Sequence, residues 1–365
     1  MLCERQFRRP ERIPRLLQEI KRLAELTGPV QLMEICGTHT MAIAKAGIRS
    51  LLPDQVKLVS GPGCPVCVTP AGAIDEILKL AGRPEISIAS YGDLLRVPGS
   101  RKGDTLLRKK ALGASVFTVY SPMEALELAA EQPSRQVVFL GVGFETTAPG
   151  TAACLLEARE RKIGNFSVLS LLKTTEPALR ALITAPDFAV NGFLCPGHVA
   201  VITGADAFSF LPEEYRLPAV VSGFEAGDIL FSVYRLVWML ANRKPSLENE
   251  YTRLVRPEGN NAACAAVERV FEPCGSLWRG LGEIPSGGLS IREEFAAWDA
   301  SRKFGFSPNP LAGFAGCRCG DVIRGMISPA QCPLFGTACT PSDPVGPCMV
   351  SGEGACAASY RYRVL

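Results

Sequence analysis

The sequence predicts an α/β protein with two similar Rossmann-like units built on parallel sheets and a cysteine-rich C-terminal region after them. Three observations carry this prediction. From Pro14 to Asn242, short apolar runs of strand character alternate with amphipathic helical runs, the pattern of parallel sheets covered on both faces. Two stretches, LMEICGTHTMAI and VFLGVGFETTAP, repeat one local plan of strand, small-residue turn, threonine and helix. Six of the fourteen cysteines lie between Cys317 and Cys356, where proline and glycine interrupt regular structure.

The elements follow in order. Pro14 to Thr27 places Leu16, Leu17, Ile20, Leu23 and Ala24 at helical spacing, and Gly28 stops the helix. The strand VQLMEI leads into CGTHT and a helix from Met41 to Ala46; a second strand, VKLVS, runs into GPGCPVC. Thr69 and Pro70 form an N-cap and first-turn pair for the helix AGAIDEILKL. EISIAS, a helix over Thr105 to Leu112 and SVFTVY complete a first unit, residues 1–120 with regular structure from Leu16. The pattern restarts with the helix MEALELAAE, the strand VVFLGVGF, a helix from Ala152 to Arg161, FSVLSLL, a helix from Pro177 to Ile183, FAVNGFL and PAVVSGF, a second unit over residues 121–242. After Asn242 the strand signal fades, and helical pieces over Asn249 to Phe271 and Arg292 to Asp299 lead into the tail of a third region, residues 243–365. That tail has little apolar surface of its own to bury, so a metal centre is the expected staple.

Composition removes several function classes. A 365-residue chain with 47% hydrophobic and 21% charged residues is globular and long enough for two or three domains. The formal charge of +3 gives no electrostatic grip on nucleic acid. Arg5, Arg8, Arg9, Arg12 and Arg15 interleave with Glu4 and Glu11, as on a solvated helix face. No apolar run approaches the roughly 18 residues a membrane helix needs. The N-terminus lacks the apolar core of a secretory signal, and its acidic residues argue against a transit peptide. A cytoplasmic protein is expected, where thiols stay reduced and a disulfide framework does not explain fourteen cysteines. With only His39 and His198 as imidazoles, thiolate chemistry dominates.

Four motifs could carry that chemistry. In the tail, Cys317, Cys332, Cys339 and Cys356 run C-x14-C-x6-C-x16-C and could hold a [4Fe–4S] cluster, with Cys319 and Cys348 left as a second thiol pair. Tetrahedral zinc competes, and spacing alone does not choose four ligands among six. In GPGCPVC, Cys64 and Cys67 form a Cys-x-x-Cys before a helix N-terminus, which favours the thiolate. A redox pair and a zinc knot completed by Cys195 and His198 both fit that motif. In CGTHT, Cys36 lies between strand and helix, where an activated thiolate would sit, and His39 lies three residues on; a buried structural cysteine is the plain alternative. GFETTAP and SGFEAGD match neither nucleotide fingerprint, so Glu145, Thr146 and Thr147 are expected to line a cleft between the units. Cys3, Cys154, Cys264 and Cys274 sit in ordinary contexts.

With ICGTHT, GPGCPVCVTP, GFETTAPGTA, FLCPGHVAVITG, CRCGDVIRG, CPLFGTACTP and GPCMVSGEGAC in that order, residues 30–360 resemble the HypD family of [NiFe]-hydrogenase maturation proteins. The resemblance implies a scaffold on which the Fe(CN)2CO group of the hydrogenase is built. It implies iron held between Cys36 and a cysteine of a HypC-type chaperone, with HypE and HypF supplying cyanide and the hydrogenase large subunit served indirectly. It further implies Cys317, Cys332, Cys339 and Cys356 as cluster ligands, and Cys319 with Cys348, and Cys64 with Cys67, as redox thiol pairs, a layout resembling ferredoxin:thioredoxin reductase. His198, His39 and Thr146 are the expected donors around the iron's ligands. Two readings from other classes stand beside it: a zinc-stabilised partner-binding protein and a stand-alone iron–sulfur thiol oxidoreductase.

Overall fold

The computed structural model describes residues 13–313 and 316–362. Cys3 and Arg5, Arg8, Arg9 and Arg12 lie outside the described residues. Eleven strands are present among them: β1 Val30–Glu34, β2 Val56–Ser60, β3 Ile86–Ser90, β4 Val116–Thr118, β5 Gln136–Gly143, β6 Phe166–Leu172, β7 Gly192–Pro196, β8 Ala219–Ser222, β9 Leu247–Asn249, β10 Phe271–Trp278 and β11 Gly282–Ile291. A five-stranded sheet has the order β2-β1-β7-β8-β9, and a four-stranded sheet has the order β4-β3-β5-β6. Every pairing within these two sheets is parallel.

The strands do not divide at residue 120. The five-stranded sheet takes β1 and β2 from before that point and β7 to β9 from after it; the four-stranded sheet takes β3 and β4 from before and β5 and β6 from after. The chain leaves the first sheet after β2, builds the whole of the second, and returns at β7. Periodicity locates strands but does not say which neighbours they pair with, so the expected units 1–120 and 121–242 each contribute to both sheets.

Alternation along the strands supplies two buried faces per sheet. Leu32, Leu58, Leu194 and Val220 face the helices Ile13–Thr27 and Ala226–Ala241, while Met33, Phe193, Cys195 and Val221 face inward. In the second sheet Ile88, Val138, Leu140 and Leu169 pack on the helix Ala71–Leu80, and Phe139, Phe166 and Val168 pack on Pro122–Glu131 and Ala148–Glu160. Each such aliphatic side chain removed from water contributes roughly 1.5–3 kcal/mol. The inward face of the first sheet is covered by the cysteine-rich tail: Val322, Ile323, Cys348 and Met349 share one core with Met33 and Phe193. The tail therefore buries apolar surface jointly with a sheet rather than as a separate body.

The antiparallel hairpin β10–β11 falls where a fading strand signal was expected, and its Pro273, Gly275, Pro285, Gly287 and Gly288 explain why. The expected helical piece before it is shorter, Asn261–Val270. Lys173, just past β6, anchors the hairpin by donating to Ser276 Oγ and to the Leu277 carbonyl, the latter at 3.0 Å. No helix of the described residues is long and apolar enough to cross a membrane.

Candidate functional site

Parallel pairing of β1 with β2, with Met33 opposite Val59 and Glu34 opposite Ser60, brings CGTHT and GPGCPVC out of the sheet side by side. The Gly61 N–H donates to the Glu34 carbonyl (2.7 Å), and the Gly37 N–H donates to the Gly63 carbonyl (2.9 Å). A Cβ at position 63 would lie 2.3 Å from the Cys36 nitrogen, so only glycine permits this contact. Cys36 is the N-cap residue of the helix Gly37–Lys45.

A cleft of about 590 Å³ opens where the C-terminal ends of both sheets meet, the position at which open α/β sheets bind ligands. Cys36 and Thr38 follow β1, Gly63 and Pro65 follow β2, Asp93 follows β3, Thr146 and Thr147 follow β5 and His198 follows β7. Ser351 and Glu353 enter it from the tail. Thr38 Oγ1 donates to Glu353 Oε1 at 2.9 Å, and Ser351 Oγ donates to Asp93 Oδ2 at 3.0 Å. Burial pushes the Cys36 thiol up to about 12; the His39 and Thr38 N–H groups pull the other way, and the Glu353 carboxyl adds to the rise. Desolvation also raises Glu353, with Asp93 adding to it.

The two histidines have different situations. His39 is fully buried, donates from Nε2 to the Gly223 carbonyl (2.9 Å) and has no partner at Nδ1. Burial pushes it down to about 4. His198 is exposed to the cleft. Both rings pack on Phe224, at 4.6 Å and 4.0 Å between centroids. His39 therefore supports the wall from behind and does not line the cleft. Glu145 likewise turns away, accepting from the Thr175 N–H (2.6 Å) and hydroxyl (2.7 Å).

Cys64 and Cys67 form a disulfide, their Cα atoms 5.2 Å apart. Cys64 caps a one-turn helix, Pro65–Val68, that contains Cys67, and Cys64 Sγ accepts from the Cys67 N–H. Thr69 does not cap the next helix; its hydroxyl donates back to the Pro65 carbonyl at 2.9 Å. Pro65 and Val66 face the cleft, whereas both sulfurs are buried in the core that also holds Cys319, Cys339, Cys348 and Cys356. Cys195 is in that core too, its thiol pushed up by burial. The zinc knot of Cys64, Cys67, Cys195 and His198 is not assembled, because the first two bond each other and His198 stacks on Phe224.

In the tail, Cys317, Cys319, Cys332, Cys339, Cys348 and Cys356 line one small cavity with Leu334, Phe335 and Met349. Cys348 lies between Cys319 and Cys356 and hydrogen-bonds both; those bonds hold its thiol below the ordinary range and Cys319 and Cys356 above it. Desolvation raises Cys317, which neighbours Cys332 and Cys339. Among the described residues no three His, Cys, Asp or Glu side chains converge as on a single metal ion. Six thiols on irregular backbone, with apolar walls and no imidazole or carboxylate, are a donor set suited to a thiolate-held iron–sulfur cluster.

Comparison with known proteins agrees with these motifs. A family model described as "HypD: Hydrogenase formation hypA family" matches residues 11–363. The chain belongs to the HypD family. It is 43% identical over 364 residues to the hydrogenase maturation factor HypD of Escherichia coli, covering 98% of this chain and 97% of that one. It is 44% identical over 352 residues to HypD of Rhizobium leguminosarum, covering 94% and 91%. It is 45% identical over 338 residues to the hydrogenase expression/formation protein HupD of Azotobacter chroococcum, covering 91% and 89%.

Asp93 and Glu353 are the cleft carboxylates that sequence reasoning missed in this HypD-family chain. Each carries a signal: Asp93 lies in YGDLL directly after a strand, and Glu353 is the lone acid in the SGEG segment between two tail cysteines.

Proposed function

We propose that the chain is a hydrogenase maturation scaffold on which the Fe(CN)2CO group of a [NiFe] active site is assembled, with that iron as cargo at Cys36. One observation carries the reading: Cys36 faces an open cleft with Asp93, Glu353, Thr146 and His198, and the neighbouring Cys64–Cys67 pair shares a core with a thiol-lined pocket. The buried Cys36 thiol is protonated in the absence of a cation. A divalent iron in the cleft reverses this balance and favours the thiolate, and Glu353, which already interacts with Cys36, is placed to take the proton. Low-spin iron carrying cyanide and CO accepts soft thiolate ligands. Thr146, Thr147 and His198 offer donors to the outer atoms of those ligands.

Cys317, Cys332, Cys339 and Cys356 are the residues that would hold a [4Fe–4S] cluster, which supplies electrons singly. Opening the Cys64–Cys67 disulfide consumes two electrons and two protons and yields two thiols. Cys319 and Cys348, already hydrogen-bonded, are a second dithiol. The family resemblance supplies the partners: a HypC-type chaperone giving the second thiolate, HypE with HypF giving cyanide, and the hydrogenase large subunit as final recipient, all in the cytoplasm.

Anaerobic co-purification with the HypC-type chaperone, followed by infrared spectroscopy, tests the reading. Cyanide and CO bands are expected for the unaltered chain and not for Cys36→Ala; bands of equal strength in that variant would overturn the role of Cys36. A stand-alone thiol oxidoreductase is disfavoured by the burial of both Cys64 and Cys67, at 5% and 1% exposure, which leaves no surface for a generic disulfide substrate.

A further inference from the structure

Arg279, at the tip of the β10–β11 hairpin, bonds the Cys64–Cys67 helix and adjoins, through Gly280, the turn that carries Cys317 and Cys319. Its backbone N–H donates to the Val68 carbonyl (2.7 Å) and its Nε donates to the Thr69 carbonyl (3.1 Å). Both bonds grip the end of the one-turn helix that carries Cys64 and Cys67. On the other side, Gly280 lies against the CRCG turn so closely that a Cβ there would sit 2.5 Å from the Gly320 Cα. The hairpin is held in this pose by Lys173 and by Trp278, whose indole N–H donates to the Gly287 carbonyl at 2.8 Å and whose ring meets Phe144 at 5.8 Å.

The electrostatic setting of Arg279 is distinctive. Arg318 and Arg324 each pair with the Asp321 carboxylate. Arg279 instead sits next to Gly280, which packs on Gly320 in the turn that carries Cys317 and Cys319. Its Nη2 is buried and has no hydrogen-bond partner. A buried N–H on a charged group left unbonded is costly. Such a cost is relieved when the pocket carries negative charge, as thiolates or as a thiolate-bound cluster, because sulfur then accepts the N–H and balances the charge.

We propose that Arg279 is a positioning residue that joins the two thiol systems, clamping the Cys64–Cys67 helix through its Nε and backbone N–H and balancing the negative charge of the tail pocket through its free Nη2. This inference rests on the reading of that pocket as a cluster site. Reduction adds negative charge, so a guanidinium beside the sulfurs favours the reduced form and raises the potential. Nothing else is required of Arg279; it neither carries electrons nor binds the iron cargo.

The test uses the full chain purified anaerobically, with Arg279→Met and Arg279→Lys beside the unaltered protein. Iron and acid-labile sulfide are measured first, then the midpoint potential by a titration followed with electron paramagnetic resonance. Arg279→Met is expected to shift the one-electron equilibrium toward the oxidised form at least tenfold, about 59 mV more negative, and Arg279→Lys, which keeps the charge, by less. Equal potentials in all three proteins with normal iron and sulfide would overturn the role of Arg279 alone. Absence of iron and sulfide from the unaltered protein would overturn the cluster reading and this inference with it. If Arg279→Met fails to retain the cluster, retention by Arg279→Lys supports the charge role, and loss in both overturns it in favour of packing.

Discussion

Around Cys36 one thiol faces a cleft of about 590 Å³ shared with carboxylates, threonines and an imidazole, whereas in the tail six thiols face each other across a small apolar cavity. The walls of the cleft come from the C-terminal ends of strands in both sheets, so it opens outward and can exchange what it holds. The tail pocket is much smaller, is walled by Leu334, Phe335 and Met349 and continues into the core beneath the first sheet. An open polar site suits a cargo that must leave; a small, apolar, sulfur-lined site suits a centre that stays. Between them lies the Cys64–Cys67 helix, with Pro65 and Val66 toward the cleft and its sulfurs toward the tail.

The sharpest way to break this comparison is to remove one thiol from each side. Cys36→Ala should reduce hydrogenase maturation in cells to background and leave the iron and sulfide content of the purified protein unchanged. Cys339→Ala should remove that iron and sulfide and also loosen the tail, because metal binding is coupled to folding. Loss of tail iron in Cys36→Ala would show that the two sites are one.

Next in size is the carboxylate beside Cys36. Glu353→Gln keeps the shape and the hydrogen bond from Thr38 but cannot take a proton. Maturation is expected to fall about 10–100-fold, the usual cost of an outer-shell change at a metal site, with normal metal content. Maturation at the unaltered level would remove Glu353 from the mechanism.

The two histidines separate support from function more finely. His39→Ala removes one of the two donors to the buried Gly223 carbonyl, which keeps the Ser222 hydroxyl, together with the ring packed on Phe224, and should cost about 1–3 kcal/mol of stability, visible as a lower Tm. His198→Ala should leave Tm nearly unchanged and weaken the infrared bands of the assembled iron. A reversed pattern would mean that His39, not His198, addresses the cargo.

The residues that carry this comparison were unequally legible in the sequence. Cys36, Cys64 and Cys67 stand in motifs, and strand-turn-helix patterning placed them at carboxyl ends of strands, which the structure bears out. Their contact through Gly63 was not legible, because the register of β1 against β2 is a tertiary property. His39 and His198 looked equivalent; only the Gly223 carbonyl and the packing on Phe224 separate them. The split at residue 120 failed to describe the sheets because sequence neighbours need not be sheet neighbours. Glu353 escaped notice since it reaches the cleft from more than 300 residues away along the chain, beside Thr38. The hairpin was hidden by its prolines and glycines, and Arg279 with it.

The smallest expected effect on maturation comes from Lys173, the anchor of that hairpin. It is 3% exposed and has hydroxyl and carbonyl partners in Ser276 and Leu277. Burial pushes its ammonium down from 10.5 to about 8, with Cys274 the titratable neighbour that opposes the shift, itself raised by burial. Between those two values the unfolded chain binds more protons than the folded one, so the Lys173 contribution to stability rises with pH. Below pH 8 the folded protein carries the full penalty, about 3 kcal/mol, and near pH 10.5 it carries almost none. Lys173→Met removes the titration but also loses the two hydrogen bonds, a cost that does not vary with pH. The stability of Lys173→Met relative to the unaltered chain should therefore be highest at pH 7 and fall by about 3 kcal/mol toward pH 10.5, as read from denaturant unfolding across that range. A difference that stays constant with pH would mean that Lys173 keeps its ordinary ionisation and that the hairpin is held by packing alone.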